Sequence, residues 1–240
     1  MTATALRVLT QLRRDPRTVV LLLLVPVVLV VLVRYLFDDR PELFDRLGGP
    51  LLGLFPFISM FLVTAITMLR ERTTGTLERL MAMPLAKLDL LAGYGIAFAL
   101  FAAVQASFVS AVAIWTLDLD LGGSTGTVIA LAIGNAVLGM SLGLFASAFA
   151  RTEFQAVQFM PAFVLPQILL CGLFVPREQM VSWLEAFSYA LPLTYAYDAL
   201  ARATGGEDLG SRFALDVGVT LGATLLALAL GAATLRRRTP

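Results

Sequence analysis

The densest run of side chains able to make ionic and hydrogen bonds is Arg70-Glu71-Arg72-Thr73-Thr74-Gly75-Thr76-Leu77-Glu78-Arg79-Leu80-Met81-Ala82-Met83-Pro84, set between two long apolar runs. Its chemistry is docking: carboxylates accept and guanidinium groups donate charge-assisted hydrogen bonds. Read as a helix, Glu71, Gly75, Glu78 and Ala82 recur at three- and four-residue steps as a polar-to-small stripe. Leu77, Leu80, Met81 and Pro84 form a separate apolar stripe. Pro84 ends the helix by restricting Met83 and withholding a backbone donor. A helix with two such faces rests its apolar side on membrane spans and shows the other to a partner. A solvated loop whose positive charges fix topology fits the same spacing.

The remainder of the chain is poor in catalytic chemistry. There is no histidine, and the one cysteine, Cys171, sits in an apolar run and reads as a small hydrophobe. No metal-ligand cluster and no serine nucleophile motif is present, which leaves a membrane enzyme weakly supported. The only lysine, Lys87, lies in Pro84-Leu-Ala-Lys-Leu-Asp, without the glycines of a phosphate cradle. ATP binding of the P-loop kind is therefore not expected, and no cofactor or metal is expected on this chain. No ionisable residue falls near the middle of an apolar run, which counts against a proton-coupled carrier.

The elements that carry the polar block are membrane spans. The chain has 240 residues, 58% hydrophobic and 15% charged. A soluble domain of this size carries more charge, and runs near 20 apolar residues match a bilayer core of roughly 30 Å. Six spans are expected, at about 18–36, 51–69, 90–117, 126–150, 154–175 and 213–235. Residues 1–17 place Leu6, Leu9 and Leu12 on one side and predict an amphipathic helix in the interface. Residues 38–50 read as an outer loop containing Gly48-Gly49-Pro50. Gly139-x-x-x-Gly143 in span four is a close-packing step, read as packing within the subunit. Pro161 and Pro166 predict a bent span five. The aromatic and proline-punctuated stretch 176–200 predicts two short helices dipping back into the outer interface.

Six spans put both ends on one side. The N-terminal tail, the 70–89 loop, the 151–153 turn and the C-terminal tail hold twelve of the eighteen Lys and Arg and five acidic residues; the other side holds six and twelve. The positive-inside rule then places both termini and the polar block in the cytoplasm.

The order Arg-Glu-Arg-x-x-Gly-Thr-Leu-Glu-Arg-Leu, followed by Pro84 and a leucine-rich run to Gly93-Tyr94, resembles the first cytoplasmic loop of ABC type-2 transporter permeases. Leu191-Pro192-Leu193-Thr194-Tyr195-Ala196-Tyr197-Asp198-Ala199-Leu200 is similar to that family's re-entrant pair of short helices. The resemblance implies an all-α integral membrane fold in a single permease domain, residues 1–240, in a bacterial plasma membrane. It implies that the polar block is a coupling helix, with Glu71, Arg72, Gly75, Thr76, Glu78 and Arg79 facing a separate ATP-binding subunit that carries ATP and Mg²⁺. A second permease copy, or a related permease, and membrane lipid complete the expected partners; no nucleic acid is expected.

Spans one, two and five line the route in that family. Here their interiors are apolar with scattered Ser59, Thr64, Thr67, Gln158 and Gln167, which suits export of a hydrophobic or amphiphilic substrate such as a drug, an antibiotic or a lipid. Polysaccharide export remains open within the same reading. A self-sufficient secondary carrier and a membrane scaffold are the alternatives from other classes.

Overall fold

The computed structural model describes residues 6–10, 15–76, 87–207 and 209–234, and what it describes is helical. In chain order the helices are α1 (Pro16–Leu36), α2 (Pro41–Thr73), α3 (Lys87–Thr116), α4 (Thr125–Ser147), α5 (Glu153–Leu170), a 3-10 turn (Arg177–Gln179), α6 (Ser182–Ser188), α7 (Pro192–Gly205) and α8 (Ser211–Thr234). Residues 6–10 are also helical.

Their ends follow from local chemistry. Asp15 caps α1: its carboxylate accepts from the Thr18 backbone N–H at 3.3 Å and from the Thr18 hydroxyl at 2.6 Å. These bonds hold the Asp15 carboxyl below the usual carboxylate range. Pro16, Pro41 and Pro192 occupy first helical positions, where their missing N–H costs nothing. Thr152 caps α5 by accepting from the Gln155 N–H at 3.2 Å. Gly206, in a left-handed conformation with φ +67°, closes α7.

Helix α2 is the axis of the bundle. Its 33 residues reach about 50 Å at 1.5 Å per residue, well beyond a bilayer core. It packs most extensively on α4, and α3 and α8 flank α4 in turn. The α2–α4 approach is close enough that a methyl group added at Gly139 or Gly143 would collide with the carbonyl oxygen of Phe57 or Phe61. This is the intrasubunit packing expected of the small-residue step. By contrast, α1 touches the bundle along one narrow seam whose buried members are Leu22, Pro26 and Val30. Val20, Leu21, Leu24, Val25 and Val28 on its other side are exposed, as are Leu100, Val104, Phe108 and Trp115 on α3. Apolar faces turned outward are what a hydrocarbon solvent asks for.

Among the described residues, five helices are long and apolar enough to cross a membrane: α1, α2, α3 from Ala92, α4 and α8. The chain is a multi-pass membrane protein. Helix α5, expected as part of the fifth of six spans, has 18 residues broken by glutamines and prolines and is not among the five. The expected 38–50 loop is a correction: Gly48, Gly49 and Pro50 lie inside α2, which begins at Pro41. Glycine and proline read as loop formers, yet here all three are buried, with Gly48 against Leu119 and Gly49 against Thr204. Helix α5 also stops at Leu170, earlier than 175, and Gly172 beyond it takes φ +106°. Two helices, α6 and α7, occupy the aromatic stretch as expected.

Candidate functional site

The polar block is not one helix. Arg70, Glu71 and Arg72 are the last turn of α2, which ends at Thr73. The chain turns at Thr74 and Gly75, where Gly75 takes φ +70°, a region glycine enters without strain. The Thr74 hydroxyl donates to the Arg70 carbonyl at 2.8 Å and lies 3.0 Å from that of Thr76. Glu78 and Arg79, with the rest of 77–86, lie outside the described residues. Glu71 and Gly75 therefore do not belong to one continuous helical register.

Successive helical residues point about 100° apart, so three in a row reach three different neighbours. Arg70 forks onto the first residue of α5: Nε donates to Glu153 Oε1 at 2.7 Å and Nη2 to Oε2 at 3.0 Å. Arg7 Nη2 donates to both oxygens of Glu71 at 3.0 Å. The Glu71 side chain is only 9% exposed, so this pair is screened far less than the open Arg70–Glu153 pair. Arg72 Nη1 donates at 2.8 Å to the Ser147 carbonyl, one of the acceptors left free at the end of α4. The root of the loop is thus tied to the N-terminal segment, to α5 and to α4.

Glu71→Ala is expected to cost about 1–3 kcal/mol, because it strands a half-buried guanidinium. It should also open the Arg7 peptide bond to trypsin in the purified protein. The reciprocal exchange Arg7→Glu with Glu71→Arg should recover the lost unfolding midpoint; equal trypsin cleavage at Arg7 in wild type and Glu71→Ala would show that the pair does not hold the segment.

The residues expected along a substrate path do not converge. Ser59 is half-buried and engaged by Gln105. Thr64 is fully buried in the bundle and its hydroxyl has no partner among the described residues. Thr67 is half-buried on the same helix. Gln167 is buried between α5 and α7, where Oε1 accepts from the Leu193 N–H at 3.4 Å and Nε2 donates to the Phe163 carbonyl at 3.0 Å. Gln158 is exposed and lines a cavity of about 310 Å³ with Phe149, Arg151, Gln155 and Phe159, beside the Arg70–Glu153 pair's turn.

At the opposite end of the bundle lies a second charge cluster, whose members entered the sequence reading only in the outer-side charge total and, for Asp198, in the 191–200 segment. Arg177 donates to Asp198 at 2.6 Å with both side chains nearly buried, at 10% and 13% exposure. The Arg177 guanidinium also sits 5.4 Å over the Tyr189 ring. Burial pushes the Asp198 carboxyl above its ordinary value, and the Arg177 bond opposes that rise. Asp216, fully buried on α8, faces Arg202 and Arg212, each at 3.7 Å. The four-residue spacings Asp198/Arg202 and Arg212/Asp216 were visible signals of one-faced charge on helices. A neighbouring cavity of about 470 Å³ is lined in part by Asp45, Arg46, Asp120, Tyr197 and Glu207.

The sequence profile described as ABC-2 type transporter matches residues 2–203, a span that runs from before the N-terminal segment almost to the end of α7. The chain belongs to the ABC-2 type transporter family. It is an ABC transporter membrane domain, and the loop rooted at Arg70–Arg72 lies within the matched region. Two curated relatives illustrate its reach. The chain is 30% identical over 151 residues to the probable multidrug ABC transporter permease YbhR of Escherichia coli, which covers 62% of this chain and 40% of that protein. It is 26% identical over 163 residues to ABC transporter G family member 20 of Dictyostelium discoideum, covering 68% of this chain and 22% of that one. The aligned part is therefore less than half the length of either relative.

Proposed function

We propose that this chain is the membrane subunit of an ATP-driven exporter, with ATP and Mg²⁺ held by a separate subunit that docks on the loop beyond Gly75. The observation that carries the reading is the root of that loop. A docking loop transmits motion only if its base is stiffly joined to the spans, and Arg70, Glu71 and Arg72 join it to three other elements. Arg72, Gly75, Thr76, Glu78 and Arg79 form the coupling surface, while Glu71 acts as its anchor through Arg7. Closure of the ATP-binding subunits then pushes on the end of α2 and, through Glu153 and Ser147, on α5 and α4 together. Nucleotide shifts the equilibrium only through contacts that differ between the two states.

In this reading there are six spans, with α5 as the fifth and α6–α7 re-entering from the outer face, and both termini and the segment between α2 and α3 face the cytoplasm of a bacterial cell. A second copy or a related permease completes the path. The apolar interior of the spans supports a hydrophobic or amphiphilic substrate, a drug, an antibiotic or a lipid, and the relative described as a multidrug permease agrees with that. Gln158, in its cavity of Phe149, Arg151 and Phe159, is the path residue best placed to meet such a molecule.

The test is co-purification of the chain with its genomic-neighbour ATP-binding protein, followed by ATPase rates in lipid. Glu78→Arg should lose the complex or its coupled hydrolysis, with the permease still folded. Normal assembly and stimulation in Glu78→Arg would refute the docking assignment. Failure of the wild type to associate with a folded, active ATP-binding protein would refute the exporter reading.

A further inference from the structure

Pro26 lies inside α1 and has no N–H, so the Leu22 carbonyl one turn earlier loses its helical donor. That carbonyl is not left bare. Gln105 Nε2, from α3, donates to it at 2.6 Å. The same amide donates to Ser59 Oγ on α2 at 3.0 Å, and the Ser59 hydroxyl donates in turn to the Phe55 carbonyl at 2.7 Å. Gln105 is completely buried, and its neighbours Ala102 and Ala106, equally buried, let α3 come close. One side chain thus joins three spans at a helix-interior proline.

We propose that Gln105 is the positioning residue of α1: it supplies the donor that Pro26 lacks, and so sets the course and the attachment of the first span. The nature of the solvent gives this bond its weight. In lipid, the apolar seam of Leu22, Pro26 and Val30 gains little from leaving hydrocarbon for protein, because acyl chains are as apolar as leucine. An unpaired carbonyl in the same medium has no water to turn to. The orientation of α1 therefore rests on this hydrogen bond as well as on its packing. The inference concerns α1 alone and stands whether or not the exporter reading does.

The test is a double-mutant cycle on the full-length purified chain, with Cys171→Ala as background and spin labels at Arg17 and Leu36 near the two ends of α1. Four proteins are compared: the background, Gln105→Leu, Pro26→Ala, and Pro26→Ala/Gln105→Leu. In Gln105→Leu the 17–36 distance distribution should broaden, and the unfolding midpoint should fall by roughly 5 °C. Pro26→Ala restores the backbone donor to Leu22, so adding Gln105→Leu there should change the distribution little and cost less than half as much. An equal cost in both backgrounds, or an unchanged distribution in Gln105→Leu, would overturn the assignment. If Gln105→Leu alone does not fold, recovery of folded protein by Pro26→Ala supports it, and failure of both alike overturns it.

Discussion

Asp198→Ala is expected to lower the unfolding midpoint of the purified protein by on the order of 10 °C, the largest effect of any single charge removed from this chain. The reason is what it leaves behind. Arg177 is 10% exposed and its Nε and Nη1 have no partner among the described residues even with Asp198 present. Removing the carboxylate strands a guanidinium left with the face of Tyr189 and the more distant charge of Glu178. Breaking such a pair costs about 3–5 kcal/mol, whereas replacing both members with apolar residues is often neutral or better. Arg177→Met/Asp198→Leu should therefore recover most of the loss. The pair lies at the end of the bundle, where water relieves a stranded charge more readily than at mid-depth, so the lower half of that range is expected. A shift below about 2 °C for Asp198→Ala would show that the pair is solvated in practice.

Gly143→Leu is expected to yield no stable, monodisperse protein on extraction into detergent, and Gly143→Ala to be destabilised by about 1–3 kcal/mol. Two effects oppose each other at this position. Alanine is favoured over glycine within a helix by up to about 1 kcal/mol. Against that, the first carbon added at Gly143 overlaps the Phe61 carbonyl oxygen, and backbone cannot rotate aside as a side-chain tip can. The α2–α4 seam must separate, and it is the most extensive contact in the bundle. Gly134, on the same helix, has nothing within 4 Å of an added Cβ, so Gly134→Ala should be neutral or slightly stabilising. Measuring both alanine variants separates helix propensity from packing. Equal thermal midpoints for Gly143→Ala and Gly134→Ala would refute the close approach.

The sequence made the membrane class and most helices legible because hydrocarbon imposes one rule on every residue of a span. Apolar runs near 20 residues have few alternative readings. What it concealed were the places where tertiary contact overrides local preference. Gly48-Gly49-Pro50 reads as a turn, but Leu119 and Thr204 press on the helix there and leave room only for small residues. The polar block reads as one helix because its spacing is compatible with one, yet Gly75 turns the chain. Glu71 and Arg72 were picked out for their charge, and their neighbours could not be. Arg7 is 64 residues away and Ser147 is 75, distances over which periodicity carries no information. Gln105 is a polar residue inside an apolar run and so visible in the sequence, while its partner, a carbonyl freed by Pro26, has no signature at the level of side chains.

The bond between Gln105 and Leu22 also has a place in time. The two residues are 83 positions apart. At synthesis rates of roughly 5–20 residues per second, the ribosome needs about 4–17 s to make the intervening chain. For that interval α1 is already made and α3 is not. The attachment of the first span through this bond thus waits for a helix that is made later.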